Sequence, residues 1–162
     1  MEVFIALLII YVIFLVVVGI PSALVCIIAV NHQRACQKLR TETLDLANGH
    51  KAISPDEFFA IRNQYRGALN KFDFMGCYVL RNVDNGKCYV GQAVHVPQRV
   101  NAHFTGRGNG DVYVDYCSGD EFEIRMIDIT QTKYKRLNDL ERHLIFAYDA
   151  YNVGYNKTRG NS

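Results

Sequence analysis

The chain has 162 residues, of which 49% are hydrophobic, and a formal net charge of +2 at pH 7. This length allows one compact domain with an appendage. From Lys71 onward there are twelve basic and eleven acidic residues, a net charge of +1. Such a balance excludes a strong basic field, so we expect this part of the chain to bind nucleic acid only weakly by electrostatics.

Cysteine usage indicates a reducing compartment. The five cysteines are odd in number and include no Cys-x-x-Cys pair; they are Cys26, Cys36, Cys77, Cys88 and Cys117. This pattern is typical of neither a disulfide framework nor a zinc ribbon. It predicts reduced and mostly buried thiols.

An uncharged segment of 28 residues runs from Val3 to Val30. A helix needs about 20 apolar residues to cross the core of a bilayer. We therefore predict a transmembrane anchor over residues 1–31, in contact with lipid through residues 3–30. A cleaved signal peptide is the alternative, although its apolar part usually spans only about 7–15 residues and follows a basic start.

The charges around the span predict its orientation. Arg34, Lys38 and Arg40 follow the segment, and no basic residue precedes it. By the positive-inside rule, the protein is a single-pass membrane protein with its N-terminus outside and its remaining residues in the cytoplasm.

Residues 32–72 are predicted to form a juxtamembrane linker followed by an amphipathic helix. The polar linker is compatible with a helix that stops near Asn48-Gly49. Ser54-Pro55-Asp56-Glu57 then combines a capping serine, an early proline and an acid three residues after the cap, which predicts a helix start. An apolar stripe gives this helix, to about Asn70, a face that packs on the following domain or on a sister chain; it consists of Phe58, Ile61, Tyr65 and Leu69.

Residues 73–162 predict an α+β domain with a small three-stranded antiparallel sheet flanked by helices. Met75 to Val83 and Lys87 to Gly91 are strands of a hairpin, because Asp84-Asn85-Gly86 between them is strong turn chemistry. The remaining elements are a short helix opened by Pro97, a mobile loop from Thr105 to Gly110, a strand from Glu121 to Ile129 and a helix from Leu137 to Tyr151.

Six positions of this domain follow a recognisable order. The hairpin contains Gly76-Cys77-Tyr78 and Tyr89-Val90-Gly91, and four polar residues come after it: Arg99, His103, Glu141 and Asn156. In order and spacing this set resembles the GIY-YIG nuclease family over about Phe74 to Thr158. Cys77 stands where the family usually has isoleucine.

The resemblance implies an endonuclease that hydrolyses phosphodiester bonds and depends on Mg²⁺ or Mn²⁺. It makes Glu141 the single protein ligand of the metal, and a single carboxylate suits Mg²⁺ because this ion keeps most of its waters. It also places Arg99 at the scissile phosphate, where a planar guanidinium fits two oxygens.

The same resemblance assigns the other residues. Tyr78 is the general base, with His103 hydrogen-bonded to it, and Tyr89 positions the nucleophile or the substrate, although the two tyrosine roles can be exchanged. A phenol has a pKa of about 10, so we expect Arg99 and the metal to lower the pKa of the base. Asn156 closes the site by hydrogen bonding.

Three further residues are weaker candidates for contact with nucleic acid, namely Arg107 and Asn109 in the glycine-rich loop, and Lys157. The complete interpretation is a membrane-tethered endonuclease acting on DNA, favoured over RNA, at the cytoplasmic face, with incoming foreign DNA as one substrate. Two alternatives stay open: a catalytically idle nucleic-acid-binding or scaffolding module of the same fold, and a delivered nuclease toxin.

Overall fold

The computed structural model describes residues 2–65 and 72–160, with side chains at 4–17, 22–65 and 72–160. The chain divides into two compact units, Met1–Lys38 and Leu39–Ser162. It begins with helix α1 (Glu2–Phe14), a π-helical turn (Leu15–Gly19) and helix α2 (Ile20–Asn48). Proline has no amide hydrogen to donate to the preceding turn, and the π-helical turn ends two residues before Pro21. Among the described residues, Phe4–Asn48 is the one helical segment long and apolar enough to cross a membrane.

Helix α3 (Pro55–Gln64) begins where the capping residues predict it. Ser54 Oγ accepts a hydrogen bond from the Glu57 amide, and the Glu57 carboxylate accepts one from the Ser54 amide, both at 3.1 Å. The reciprocal pair satisfies two amides that the first turn leaves without helical partners. Phe58 is fully buried in the core of the domain, so the apolar face of α3 packs on the domain that follows it. The predicted extension to Asn70 lies outside the described residues.

Three antiparallel strands form the sheet, as predicted: β1 (Gly76–Asn82), β2 (Cys88–Ala93) and β3 (Phe122–Asp128). The order is β2-β1-β3, so β2 and β3 are the edge strands. Gly86 in the hairpin turn has a φ of +73°, which glycine adopts without steric strain. The register places Tyr78 opposite Gly91 and Leu80 opposite Tyr89.

The other elements are helices α4 (Val96–Phe104) and α5 (Gly110–Cys117), a 3-10 turn (Ile129–Gln131) and helix α6 (Leu137–Ala147). Helix α5 was not predicted. The predicted final helix also ends earlier than Tyr151, because the chain turns at Asp149, which adopts a φ of +52°. The class is α+β, as expected from the sequence.

Each face of the sheet carries its own core. On one face, α3, α4 and α5 cover β1 and β3, with Phe58, Val100 and Phe104 among the buried residues. On the other face, α6 and Ala47 at the end of α2 cover Cys77, Val79 and Val90. All five cysteines are free, but only Cys77 and Cys88 are buried, so the expectation of mostly buried thiols is wrong.

Candidate active site

A cavity of about 310 Å³ opens along the edge strand β2. Five of the six residues singled out in the sequence line it: Tyr78, Tyr89, Arg99, Glu141 and Asn156. They come from both sides of the sheet, since Arg99 lies on α4 and Glu141 on α6. The edge strand thus brings together side chains that are separated by up to 78 residues between Tyr78 and Asn156.

The sixth residue, His103, lies behind Tyr78 and is fully buried. Its Nδ1 accepts a hydrogen bond from the Asn109 amide at 2.8 Å. An amide can only donate, so the neutral ring carries its hydrogen on Nε2. That nitrogen lies 2.9 Å from Tyr78 Oη. His103 therefore donates to the Tyr78 hydroxyl.

Burial sets the charge state of this pair. Burial, and then the positive charge of Arg99, lowers the pKa of His103 to about 4. The imidazole is therefore neutral at physiological pH. Burial also raises the pKa of Tyr78 above its ordinary value, and the neighbouring Tyr89 adds to this effect.

Arg99 opposes the rise by its charge and by a hydrogen bond, as expected, but its effect is smaller than that of burial. The expectation that Arg99 lowers the pKa of Tyr78 is therefore right in direction, although the net shift is upward. Tyr78 needs additional positive charge nearby before it can act as a phenolate.

The two tyrosines pack with His103 as an aromatic cluster. The ring centroids of Tyr78 and Tyr89 are 6.2 Å apart, and those of Tyr89 and His103 are 4.7 Å apart. The glycine-rich loop holds this cluster from behind: a Cβ atom at Gly108 would lie 2.6 Å from His103 Nδ1. The loop is thus closely packed at Gly108.

Glu141 is buried at the cavity wall, with 7% of its surface exposed. Its Oε2 accepts a hydrogen bond from Gln92 Nε2 at 2.9 Å, and Gln92 Nε2 also lies 2.8 Å from Asn138 Oδ1. The neighbouring Arg142 pairs with Asp139 instead, at 2.7 Å. Glu141 is therefore a buried acid of the cavity wall and not a surface acid. Gln92 was missed in the sequence, because its partner lies 49 residues away.

The donor set fits a hydrated magnesium ion. Glu141 is the one acidic side chain among the residues that line this cavity. Among the described residues, no group of three or more His, Cys, Asp or Glu side chains could hold a metal. Mg²⁺ prefers oxygen ligands and commonly binds through one or two carboxylates while keeping several waters. A single buried carboxylate beside a polar cavity meets that requirement, whereas a structural zinc site does not.

Asn156 binds the edge strand itself. Its Oδ1 accepts from the Val90 amide and its Nδ2 donates to the Val90 carbonyl, both at 2.8 Å. The side-chain amide thus replaces a neighbouring strand at this point. Asn156 therefore ties the segment between Tyr89 and Gly91 to the chain beyond α6.

Of the three weaker candidates for contact with nucleic acid, two lie at the cavity and one does not. Lys157 lies at the cavity and forms an ion pair with Asp111. Asn109 also reaches the cavity, but its side chain caps α5 by accepting from the Val112 amide at 3.0 Å. Arg107 does not line this cavity and borders a separate one beside Asp73 and Gln98. The structure therefore does not bring Arg107 to the candidate site.

The family model of the GIY-YIG catalytic domain matches residues 74–156, which include all six positions. This chain belongs to the GIY-YIG family, a class of nucleases that act on nucleic acids. No curated protein and no solved structure matches the chain.

Proposed function

We propose that this protein is a membrane-tethered, divalent-metal-dependent endonuclease that hydrolyses phosphodiester bonds of DNA at the cytoplasmic face of a membrane. One observation carries the catalytic part: the cavity along β2 collects two tyrosines, an arginine and a buried carboxylate. These are the groups that phosphodiester hydrolysis needs, namely a base, a cation for the phosphate and a metal ligand.

Glu141 would hold Mg²⁺ or Mn²⁺ by its carboxylate, with Gln92 fixing the orientation of Oε2. The bound ion would polarise the phosphate and stabilise the leaving oxygen. Arg99, on the opposite wall, would bind the scissile phosphate and offset the charge that develops on it.

Tyr78 is the proposed general base. The Nε2 hydrogen of His103 points at Tyr78 Oη, so His103 would stabilise the phenolate and would not receive the phenol's proton at that nitrogen. Since burial raises the pKa of Tyr78, the phenolate becomes accessible only when positive charge gathers in the cavity. Tyr89 would position the water or the substrate.

The function is tested with the full-length chain in detergent, on supercoiled plasmid, with and without Mg²⁺. Glu141→Gln keeps the size of the side chain and its ability to accept from Gln92, so the protein should fold. Cleavage should fall by at least about 10²-fold, because the charge that holds the metal is lost. Asp139→Asn on the same helix is the matched control and should retain full activity.

Unchanged cleavage in Glu141→Gln would overturn the assignment of the metal ligand. Absence of Mg²⁺-dependent cleavage in the unmodified protein would favour the idle binding module. A single-stranded RNA transcript in the same assay distinguishes DNA from RNA as the substrate.

The tether is supported by the uncharged segment from Val3 to Val30 and by the basic residues that follow it. In intact cells, a cysteine introduced by Thr158→Cys should be protected from a membrane-impermeant thiol reagent and become reactive after permeabilisation. Cys117 is itself exposed and Cys36 is half-buried, so the background is set with Cys36→Ser and Cys117→Ser. Labelling from outside would reverse the orientation, and a chain processed near residue 30 would remove the anchor.

A further inference from the structure

A second cavity, of about 330 Å³, lies where the end of α2 meets the sheet and the end of α6. Its lining includes three arginines and a tyrosine from four elements: Arg40 of α2, Arg81 of β1, Arg125 of β3 and Tyr148 at the end of α6. None of these residues lines the candidate active-site cavity. The nuclease chemistry proposed above does not use them.

Two of the residues that line this cavity each have a buried polar atom without a hydrogen-bond partner. Among the described residues, three buried side-chain atoms lack one, and two of these are Arg125 Nε and Tyr148 Oη. Folded proteins satisfy nearly all buried polar groups, because a buried donor without an acceptor loses its hydration and gains nothing in return. Arg125 Nε can only donate a hydrogen bond and Tyr148 Oη can donate one, so an acceptor would satisfy both atoms.

The cavity also carries an excess of positive charge. Glu123 is the carboxylate beside the arginines: its Oε2 lies 3.1 Å from Arg125 Nη1 and 3.7 Å from Arg81 Nη1. In the described part of the chain, Arg40 forms no ion pair or hydrogen bond through its side chain. Three guanidinium groups and one carboxylate leave a formal charge of +2.

We propose that Arg40, Arg81, Arg125 and Tyr148 bind a dianionic phosphate group, either inorganic phosphate or the phosphomonoester of a lipid headgroup. Guanidinium groups match phosphate oxygens in geometry and charge, and the Tyr148 hydroxyl would supply one further donor. A phosphomonoester carries about −1.5 to −2 charges at pH 7, close to the charge of the site. A phosphodiester of a nucleic-acid backbone carries one, so the charge favours the monoester.

Thermal unfolding of the full-length chain in detergent tests this site. Inorganic phosphate is titrated at constant ionic strength with NaCl as the balancing salt, and we expect a saturable rise in Tm. Tyr148→Phe removes a buried hydroxyl that has no partner, so its Tm without phosphate should be unchanged or higher. The rise in Tm that phosphate causes should nevertheless be smaller in Tyr148→Phe. A tyrosine with only a structural role would not combine an unchanged Tm without phosphate with a smaller response to phosphate.

Arg40→Gln is the second variant. Arg40 is exposed, so the fold should survive. The phosphate concentration that gives half of the rise in Tm should increase about tenfold or more. Two control variants should keep the full response. Arg142→Gln removes an exposed arginine outside the cavity, and Arg99→Gln removes the cation of the candidate active site.

The outcomes separate the possibilities. Equal phosphate responses in the unmodified protein, Tyr148→Phe and Arg40→Gln would overturn the site, and loss of the response in Arg99→Gln would move phosphate to the active site. Reconstitution into phosphatidylcholine vesicles with and without phosphatidic acid distinguishes a lipid headgroup from free phosphate. An oligonucleotide without terminal phosphates carries only phosphodiesters. If it raised Tm as strongly as phosphate does, and Tyr148→Phe reduced that rise, the assignment to a dianion would be overturned.

Discussion

The hydroxyl group of Tyr78 occupies the space that a side chain at Gly91 would need. The two residues lie opposite each other on β1 and β2. A Cβ atom at Gly91 would lie 2.4 Å from Tyr78 Oη and 2.6 Å from Cζ. The glycine of the second motif is therefore required by the tyrosine of the first, which explains why the two short motifs occur together on one hairpin.

Gly91→Ala should disturb this contact. The ring of Tyr78 is enclosed by His103 and the core, so it cannot move away freely. We expect a loss of about 1–3 kcal/mol in the free energy of unfolding, typical of overpacking, and a larger proportional loss of cleavage. Chemical denaturation and plasmid nicking measure the two effects. Gly110→Ala, where a Cβ atom meets nothing within 4 Å, is the control and should leave both unchanged.

Replacing the hairpin tyrosines by phenylalanine separates chemistry from packing. Tyr78→Phe and Tyr89→Phe each remove one oxygen and keep the ring. Tyr89→Phe should change Tm little, whereas Tyr78→Phe leaves the buried Nε2 hydrogen of His103 without its acceptor and should cost about 1–3 kcal/mol of stability. Cleavage should fall by about 10²-fold or more at the residue that serves as base. The rise of the cleavage rate with pH should also disappear there, because only a phenolate accepts a proton. A fully active double variant would exclude a base role for either tyrosine.

His103 should make the fold sensitive to acid. Its pKa is lowered to about 4 in the folded protein, against 6.5 for an ordinary histidine. The unfolded chain therefore takes up this proton first as the pH falls. The stability is complete above about pH 6.5 and is lost progressively down to about pH 4, by roughly 3 kcal/mol in total.

Urea unfolding across this pH range measures the loss. His103→Gln should remove that part of the pH dependence, whereas His143→Gln should remove less, because His143 is more exposed and its pKa is lowered to a smaller extent. Equal slopes for the unmodified protein and His103→Gln would show that His103 takes up its proton over the same pH range in the folded and the unfolded protein, and would contradict the lowered pKa.

Asn156→Ala should loosen the edge of the sheet. It leaves the buried amide and carbonyl of Val90 without their partners, which typically costs about 1–3 kcal/mol. Cleavage at a temperature far below Tm should fall about tenfold or more, because Tyr89 and Gly91 adjoin Val90. Hydrogen exchange at the Val90 amide should accelerate.

Asn156→Asp keeps the acceptor for the Val90 amide and loses the donor to the Val90 carbonyl. Its losses of stability and cleavage should lie between those of the unmodified protein and Asn156→Ala, and cleavage should be affected at least as strongly as stability. Asn152→Ala, on the exposed turn, is the control. Normal activity with rapid exchange at Val90 would contradict the positioning role.

Local chemistry explains what the sequence predicted well. The capping box before α3 and the turn between β1 and β2 depend on a few neighbouring residues, and both were placed correctly. Helix α5 was missed because its valines and tyrosines favour strands and its Gly and Asp residues are weak helix formers, so the helix depends on a cap from Asn109. The capping asparagine followed by Asp111 was the available signal.

Contacts between residues far apart in the chain could not be predicted from the sequence. The bond from Gln92 to Glu141 and the burial of His103 depend on the packing of α6 and α4 around β2. The same holds for the second cavity, whose arginines come from three separate elements. Their spacing along the chain carries no periodic pattern that would predict the cluster.

Both outer edges of the small sheet are occupied over part of their length. On β2, the Tyr155 amide donates to the Cys88 carbonyl at 2.9 Å and Asn156 binds Val90. On β3, Ile53 exchanges two hydrogen bonds with Ile124, at 3.0 and 2.8 Å. An incoming strand would find these backbone groups engaged, so the domain resists the edge-to-edge pairing that starts aggregation. Copies crowded together on one surface are therefore less able to pair through these strands.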